Sequence, residues 1–225
     1  MRTKILSSLF VAILLIFAFE VSAQEQAPAP TFKDGDFWQF RIVSEQKTGR
    51  TDTSALQGDY EVFYSGGQLK LFKLAEGEKS EIQQVLDERA VDLNFRTDEL
   101  LGMLDPRQPV WQYLQFPLSV GKAWTTNYRA SGRGERKPYT VTLTAETRAT
   151  EIVKISTSGG TFPAFKIERN VVGSRAPGDA RQAITKFDID YTYYYSPQTQ
   201  SIVKYVRKRG EESTSIELIK FGSAR

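Results

Sequence analysis

At 225 residues, 40% of them hydrophobic, the chain is long enough for one large domain or two small ones, with a core able to hold without covalent staples. It contains no cysteine and no histidine, which excludes disulfides, thiol chemistry, Ser-His-Asp and Cys-His catalysis and imidazole metal sites. With 30 basic against 27 acidic residues the net charge is +3, too balanced to specify a nucleic-acid partner.

The N-terminus reads as an export signal. Arg2 and Lys4 precede an apolar run from Leu9 to Phe19, and Val21-Ser22-Ala23 offers small residues for cleavage before Gln24. Glu20 interrupts that run, which is short for crossing a hydrocarbon layer of about 30 Å. Residues 1–23 are therefore expected to be a removed signal peptide. Its loss takes away two positive charges and one negative and leaves +2. No later stretch is apolar enough to span a membrane, and no cysteine is present to accept a lipid, so the expected product is periplasmic or secreted and not a lipoprotein. Residues 24–33, polar and proline-rich, are expected to form a flexible or extended leader, and residues 34–225 a single all-β domain.

Alternation of period two begins at Phe37, with Trp38, Phe40 and Ile42 set against Gln39 and Arg41. Tyr60, Val62 and Tyr64 lead into Ser65-Gly66-Gly67 and then Leu69 and Leu71, the pattern of a hairpin closed by glycine. Strands are expected at Ile82 to Leu86 and Trp111 to Phe116, with one short helix over Thr97 to Leu104 between them. Trp124 to Ala130 follows, and then Tyr139, Val141, Leu143 and Ala145 alternate with threonines, which suit the wet face of a strand. A charged stretch from Glu146 to Glu151 precedes a strand at Ile152 to Ser156. Ser158-Gly159-Gly160 turns the chain into Ala164 to Val172, and Gly173 to Asp179 reads as a loop. The last strands are Ile184 to Tyr195, Ile202 to Arg207 and Ile216 to Phe221. About ten antiparallel strands in this order predict a single curled sheet or open barrel, with a two-sheet sandwich as the rival; long antiparallel strands accumulate twist and roll up. Gly-x-x-Trp at Gly35 to Trp38 and again at Gly121 to Trp124 hints at an internal duplication.

Few residues suggest chemistry. Asp188 and Asp190 share a strand face and could converge on a cation or a sugar, but read first as solvent-facing residues. Asp34-Gly35-Asp36 lacks the further oxygens of a calcium loop and reads as a turn. Lys204, Arg207, Lys208 and Arg209 divide between two faces, so they make no single patch and suit edge protection or solvation. Phe187, Ile189, Tyr191, Tyr193 and Tyr195 form an aromatic stripe. Phe187, Tyr191, Tyr193 and Tyr195 are the candidate ligand contacts, because tyrosine joins a large ring to a hydroxyl, although the same stripe would serve as core. No catalytic residue, metal ligand or cofactor is implied.

Three motifs, Phe116-Pro117-Leu118-Ser119-Val120-Gly121-Lys122-Ala123-Trp124, Gly160-Thr161-Phe162-Pro163-Ala164-Phe165-Lys166-Ile167-Glu168 and Tyr194-Tyr195-Ser196-Pro197, resemble those of exported bacterial all-β proteins of unknown function. The resemblance spans Phe116 to Tyr205. It implies a shared fold and carries no catalytic residues across. The expected function is a non-enzymatic exported binding or accessory domain, holding a lipid or other amphiphile against the tyrosine face or meeting an envelope protein. The alternatives are a carboxylate-based hydrolase of envelope polymers and a structural component recruiting a partner by strand addition.

Overall fold

The computed structural model describes residues 26–46, 58–81, 114–133, 138–177 and 183–223. The strands are β1 (Gln26–Ala27), β2 (Asp36–Gln46), β3 (Gly58–Ser65), β4 (Gln68–Ala75), β5 (Glu78–Glu81), β6 (Leu118–Ser119), β7 (Ala123–Arg133), β8 (Pro138–Thr157), β9 (Gly160–Pro177), β10 (Thr185–Ser196), β11 (Ser201–Arg209) and β12 (Glu212–Ser223). No helix occurs among the described residues. The expected signal peptide, the helix over Thr97 to Leu104, the strand at Ile82 to Leu86 and the first half of that at Trp111 to Phe116 lie outside them, and the described remainder of the last, Leu114 to Phe116, forms no strand.

Ten strands make one antiparallel sheet in the order β5-β4-β3-β2-β12-β11-β10-β9-β8-β7, while β1 and β6 pair separately. This is the expected all-β curled sheet, and the single continuous order rules out the sandwich. Among the described residues it stays open, since β5 and β7 end the order without pairing to each other. The curl is visible at the β8–β9 turn. There Gly159 N donates to Leu218 O of β12 at 3.0 Å, and the Phe162 and Phe221 rings meet edge to face at 5.8 Å. A tip belonging to strands β8 and β9 thus reaches over β10 and β11 to touch β12.

Alternation decides what lies inside the curl. On β8, Val141, Leu143, Ala145, Thr147 and Ala149 are buried while Thr142, Thr144, Glu146 and Arg148 are exposed. Trp38, Phe40, Ile42, Tyr60, Val62, Ile216 and Leu218 continue the same interior across β2, β3 and β12. At about 25 cal/mol per Å² of apolar surface removed from water, this inner face dominates the stability.

Two strands run further than their local pattern predicts. The charged stretch Glu146 to Glu151 does not interrupt β8. A bulge absorbs Thr150, since Ala149 pairs with Ile167 and Glu151 with Lys166. The loop expected from Gly173 belongs instead to β9 as far as Pro177, paired on both sides to β8 and β10. Glycine within that strand is explained by the Phe187 ring, which fills the space where a side chain would stand.

The leader, expected to be flexible, is tied down from Gln26 onward. Gln26 and Ala27 pair with Ser119 and Leu118, Ala27 and Leu118 are fully buried, and Thr31 N donates to Gln200 Oε1 at 2.6 Å. Phe32 then packs on Trp38 and Tyr64. The two Gly-x-x-Trp segments play matching parts. Gly35 and Gly121 have positive φ (96° and 86°), each donates its N–H to a carbonyl of the strand after next, Tyr64 O of β3 and Ala149 O of β8, and Trp38 and Trp124 both turn into the interior.

Candidate functional site

The residues singled out by sequence fall in three places. Phe187, Tyr191, Tyr193 and Tyr195 all point inward from β10 and are buried. Tyr191 and Tyr193 stack with centroids 5.9 Å apart, Tyr205 of β11 tilts against both, and Phe116 meets Tyr195 edge to face at 5.2 Å. Burial pushes the Tyr195 phenol well above the usual tyrosine range. The stripe therefore packs mainly against other rings of the protein.

Asp188 and Asp190 are exposed on the opposite face of β10, where the Asn170 amide donates to both, at 2.8 and 3.0 Å. Asp34 and Asp36 form the expected turn. Asp36 Oδ2 accepts from Lys33 N at 2.7 Å and Asp34 Oδ1 from Gly66 N at 3.0 Å. The basic run divides as its alternation requires, with Lys208 exposed, Lys204 paired to Glu217 at 2.6 Å and Arg207 buried. It protects no edge, because β11 lies between β10 and β12.

A cleft of about 670 Å³ crosses β7, β8, β9 and β10. Its lining follows the register in three adjacent rows. One row is Thr125, Glu146, Asn170 and Asp190, the next Trp124, Thr147, Arg169 and Tyr191, and the third Ala123, Arg148, Glu168 and Thr192. The middle row consists of buried residues whose side chains, the Arg169 guanidinium included, alternate to the inward face. The outer two rows carry the polar and charged side chains of the solvent face. Of the four candidate aromatics, Tyr191 alone borders this cleft, with its ring turned inward onto Tyr193 and Tyr205.

Charges are distributed unevenly within it. Glu168 pairs with Lys166 Nζ at 2.9 Å, and Asp190 accepts the Asn170 amide. The side chains of Glu146 and Arg148, two positions apart on β8, have no hydrogen-bond or ion-pair partner among the described residues. Alternation puts them on one face with their Cα atoms about 7 Å apart. The volume falls within the range of small-molecule sites, and every lining residue stands on a strand hydrogen-bonded into the sheet.

Sequence reading passed over Glu146, Arg148, Glu168 and Asn170. Glu-x-Arg and Glu-x-Asn at alternate positions of long strands were the available signal, but only the β8–β9 register aligns Glu146 with Asn170 and Arg148 with Glu168.

No protein-family model matches the sequence, and no curated protein matches it. Solved structures similar to the chain include a candidate lipoprotein of Parabacteroides distasonis, at 11% identity and a TM-score of 0.41 over 88% of this chain and 100% of that one. A candidate exported protein with a YmcC-like fold from Bacteroides fragilis is 9% identical, with a TM-score of 0.36 over 88% and 100%. The hypothetical lipoprotein YmcC of Escherichia coli is 11% identical, with a TM-score of 0.39 over 93% and 96%. With TM-scores below 0.5, none of these likenesses decides what this chain does.

Proposed function

We propose that the chain is an exported, non-enzymatic binding domain whose cleft across β7 to β10 seats a polar small molecule. Export rests on the N-terminal pattern of Arg2 and Lys4, the apolar run to Phe19 and Val21-Ser22-Ala23. The ligand seat rests on a single observation, a cleft of about 670 Å³ that gathers Glu146 and Arg148, both without a protein partner among the described residues, on rigid strands. Amphiphile binding along the whole tyrosine stripe is less favoured, because Tyr193 and Tyr195 are packed within aromatic neighbours.

Binding is also favoured over hydrolysis by the state of the acids. Glycosidic chemistry needs two carboxyls working on opposite sides of one bond. Of the three acids in the cleft, Glu168 is engaged by Lys166 and Asp190 by Asn170, which leaves Glu146 as the one with no such partner among the described residues.

The test is a screen of polar fragments followed by backbone amide shifts of the processed protein. Hits are expected to move the amides of Thr125, Thr147, Arg169 and Tyr191 together. Hits that move amides elsewhere, or no hits at all, would overturn the assignment.

A further inference from the structure

We propose that the cleft selects a small zwitterion, an amino acid or short peptide with a free ammonium and a free carboxylate; this rests on the reading of the cleft as the ligand seat. Its charges are separated by sign across the cleft. Glu146 lies in a row with Thr125, Asn170 and Asp190, and the next outer row toward Asp188 adds a second acid held by the same Asn170 amide. That side of the cleft is anionic, and no basic side chain in the row offsets it. Arg148 lies in the opposite row, between Ala123 and Glu168. Glu168 is drawn to Lys166, which Glu151 also contacts at 3.3 Å, so the guanidinium of Arg148 remains available to an incoming anion. Ala123, the smallest residue of the lining, leaves room beside it on β7.

A neutral sugar would cover both charges without neutralising either, and covering an uncompensated charge is unfavourable. A simple anion would meet Arg148 but face Glu146 and Asp190; a simple cation would meet the acids but be repelled by Arg148. A molecule carrying both signs satisfies both rows at once, with its carboxylate taken bidentately by the Arg148 guanidinium and its ammonium by the Glu146 carboxylate. Backbone spacing of about 7 Å between the two residues, with flexible side chains above it, accommodates charges separated by one or two residues of peptide.

Amide-shift titrations of the processed protein with diglycine, diglycine amide, N-acetyl-diglycine and a neutral disaccharide separate the possibilities. Diglycine is expected to shift the cleft amides, with the two blocked forms at least ten-fold weaker. Glu146→Gln should abolish the preference for the free amine and Arg148→Gln the preference for the free carboxylate; both positions are exposed, so both variants should keep the wild-type spectrum outside the cleft. Cleft shifts from the disaccharide but not from diglycine would overturn the zwitterion inference and leave the cleft as the ligand seat. Cleft amides that respond to none of the four would overturn both.

Discussion

Gly173 tests whether close packing between β9 and β10 holds the sheet in its curl. A Cβ built at this position falls 2.4 Å from Cζ and 2.7 Å from Cε2 of Phe187, and 2.8 Å from the Thr142 carbonyl oxygen. Phe187 is buried, so its ring has little space to retreat, and the carbonyl is fixed in the β8–β9 ladder. Alanine in place of a strand glycine would by itself gain about 0.5 to 1 kcal/mol from reduced chain entropy. Overpacking costs about 1 to 3 kcal/mol and should prevail. Gly173→Ala is therefore expected to destabilise by about 1 to 2 kcal/mol, lowering the melting temperature by about 2 to 8 °C for a domain of this size. Phe187→Leu removes the clashing ring edge, so urea denaturation of the double variant should reveal a favourable coupling of about 1 kcal/mol. Gly173→Ala as stable as the wild type, or strictly additive single effects, would refute the close-contact account.

Ala27→Asp places a carboxylate at a fully buried position of β1, and denaturant unfolding should show a loss of more than about 2 kcal/mol; an unchanged midpoint would mean that the leader does not dock. At high pH the Tyr195 phenol, raised by burial, contributes stability that is complete below the unfolded tyrosine value of about 10 and is lost as pH climbs toward the folded value. Tyr195→Phe should accordingly flatten the alkaline fall in stability, read by tyrosinate absorbance together with unfolding. At low pH, Asp59 is held below the usual carboxylate range by its hydrogen bond to the Arg41 guanidinium, with Nε–Oδ1 at 2.8 Å. That contribution is present above pH about 4 and fades as pH falls through the lowered value, so the difference between wild type and Asp59→Asn should shrink in acid.

Much of this architecture is written locally. A strand with one wet face must alternate, so Trp38, Phe40, Ile42 and Val141, Leu143, Ala145 declare both the element and its buried side without reference to any neighbour. Gly66-Gly67 and Gly160 mark hairpins because their positive φ angles are strained for other residues. What local pattern could not carry is continuity and cross-strand neighbourhood. Glu146 to Glu151 resembles a break until pairing with β9 shows a bulge at Thr150, and Gly173 resembles a loop until the Phe187 ring occupies its missing side chain. The tyrosine stripe was equally ambiguous, since a period of two identifies a shared face but not whether that face meets a ligand or another ring; Tyr205, directly opposite Tyr193 on the neighbouring β11, supplies the ring.

The amino-acid order alone thus determined an all-β chain of antiparallel strands, its inward faces and the absence of thiol and imidazole chemistry, because each follows from residue type and spacing of two. Tertiary structure alone decided that the leader is paired, that β11 is interior, and that Glu146 and Arg148 share a cleft with Asn170, Glu168 and Asp190. Register is the physical reason. It depends on turns, bulges and packing summed over many strands, and a slip of one residue would exchange every inward side chain for an outward one.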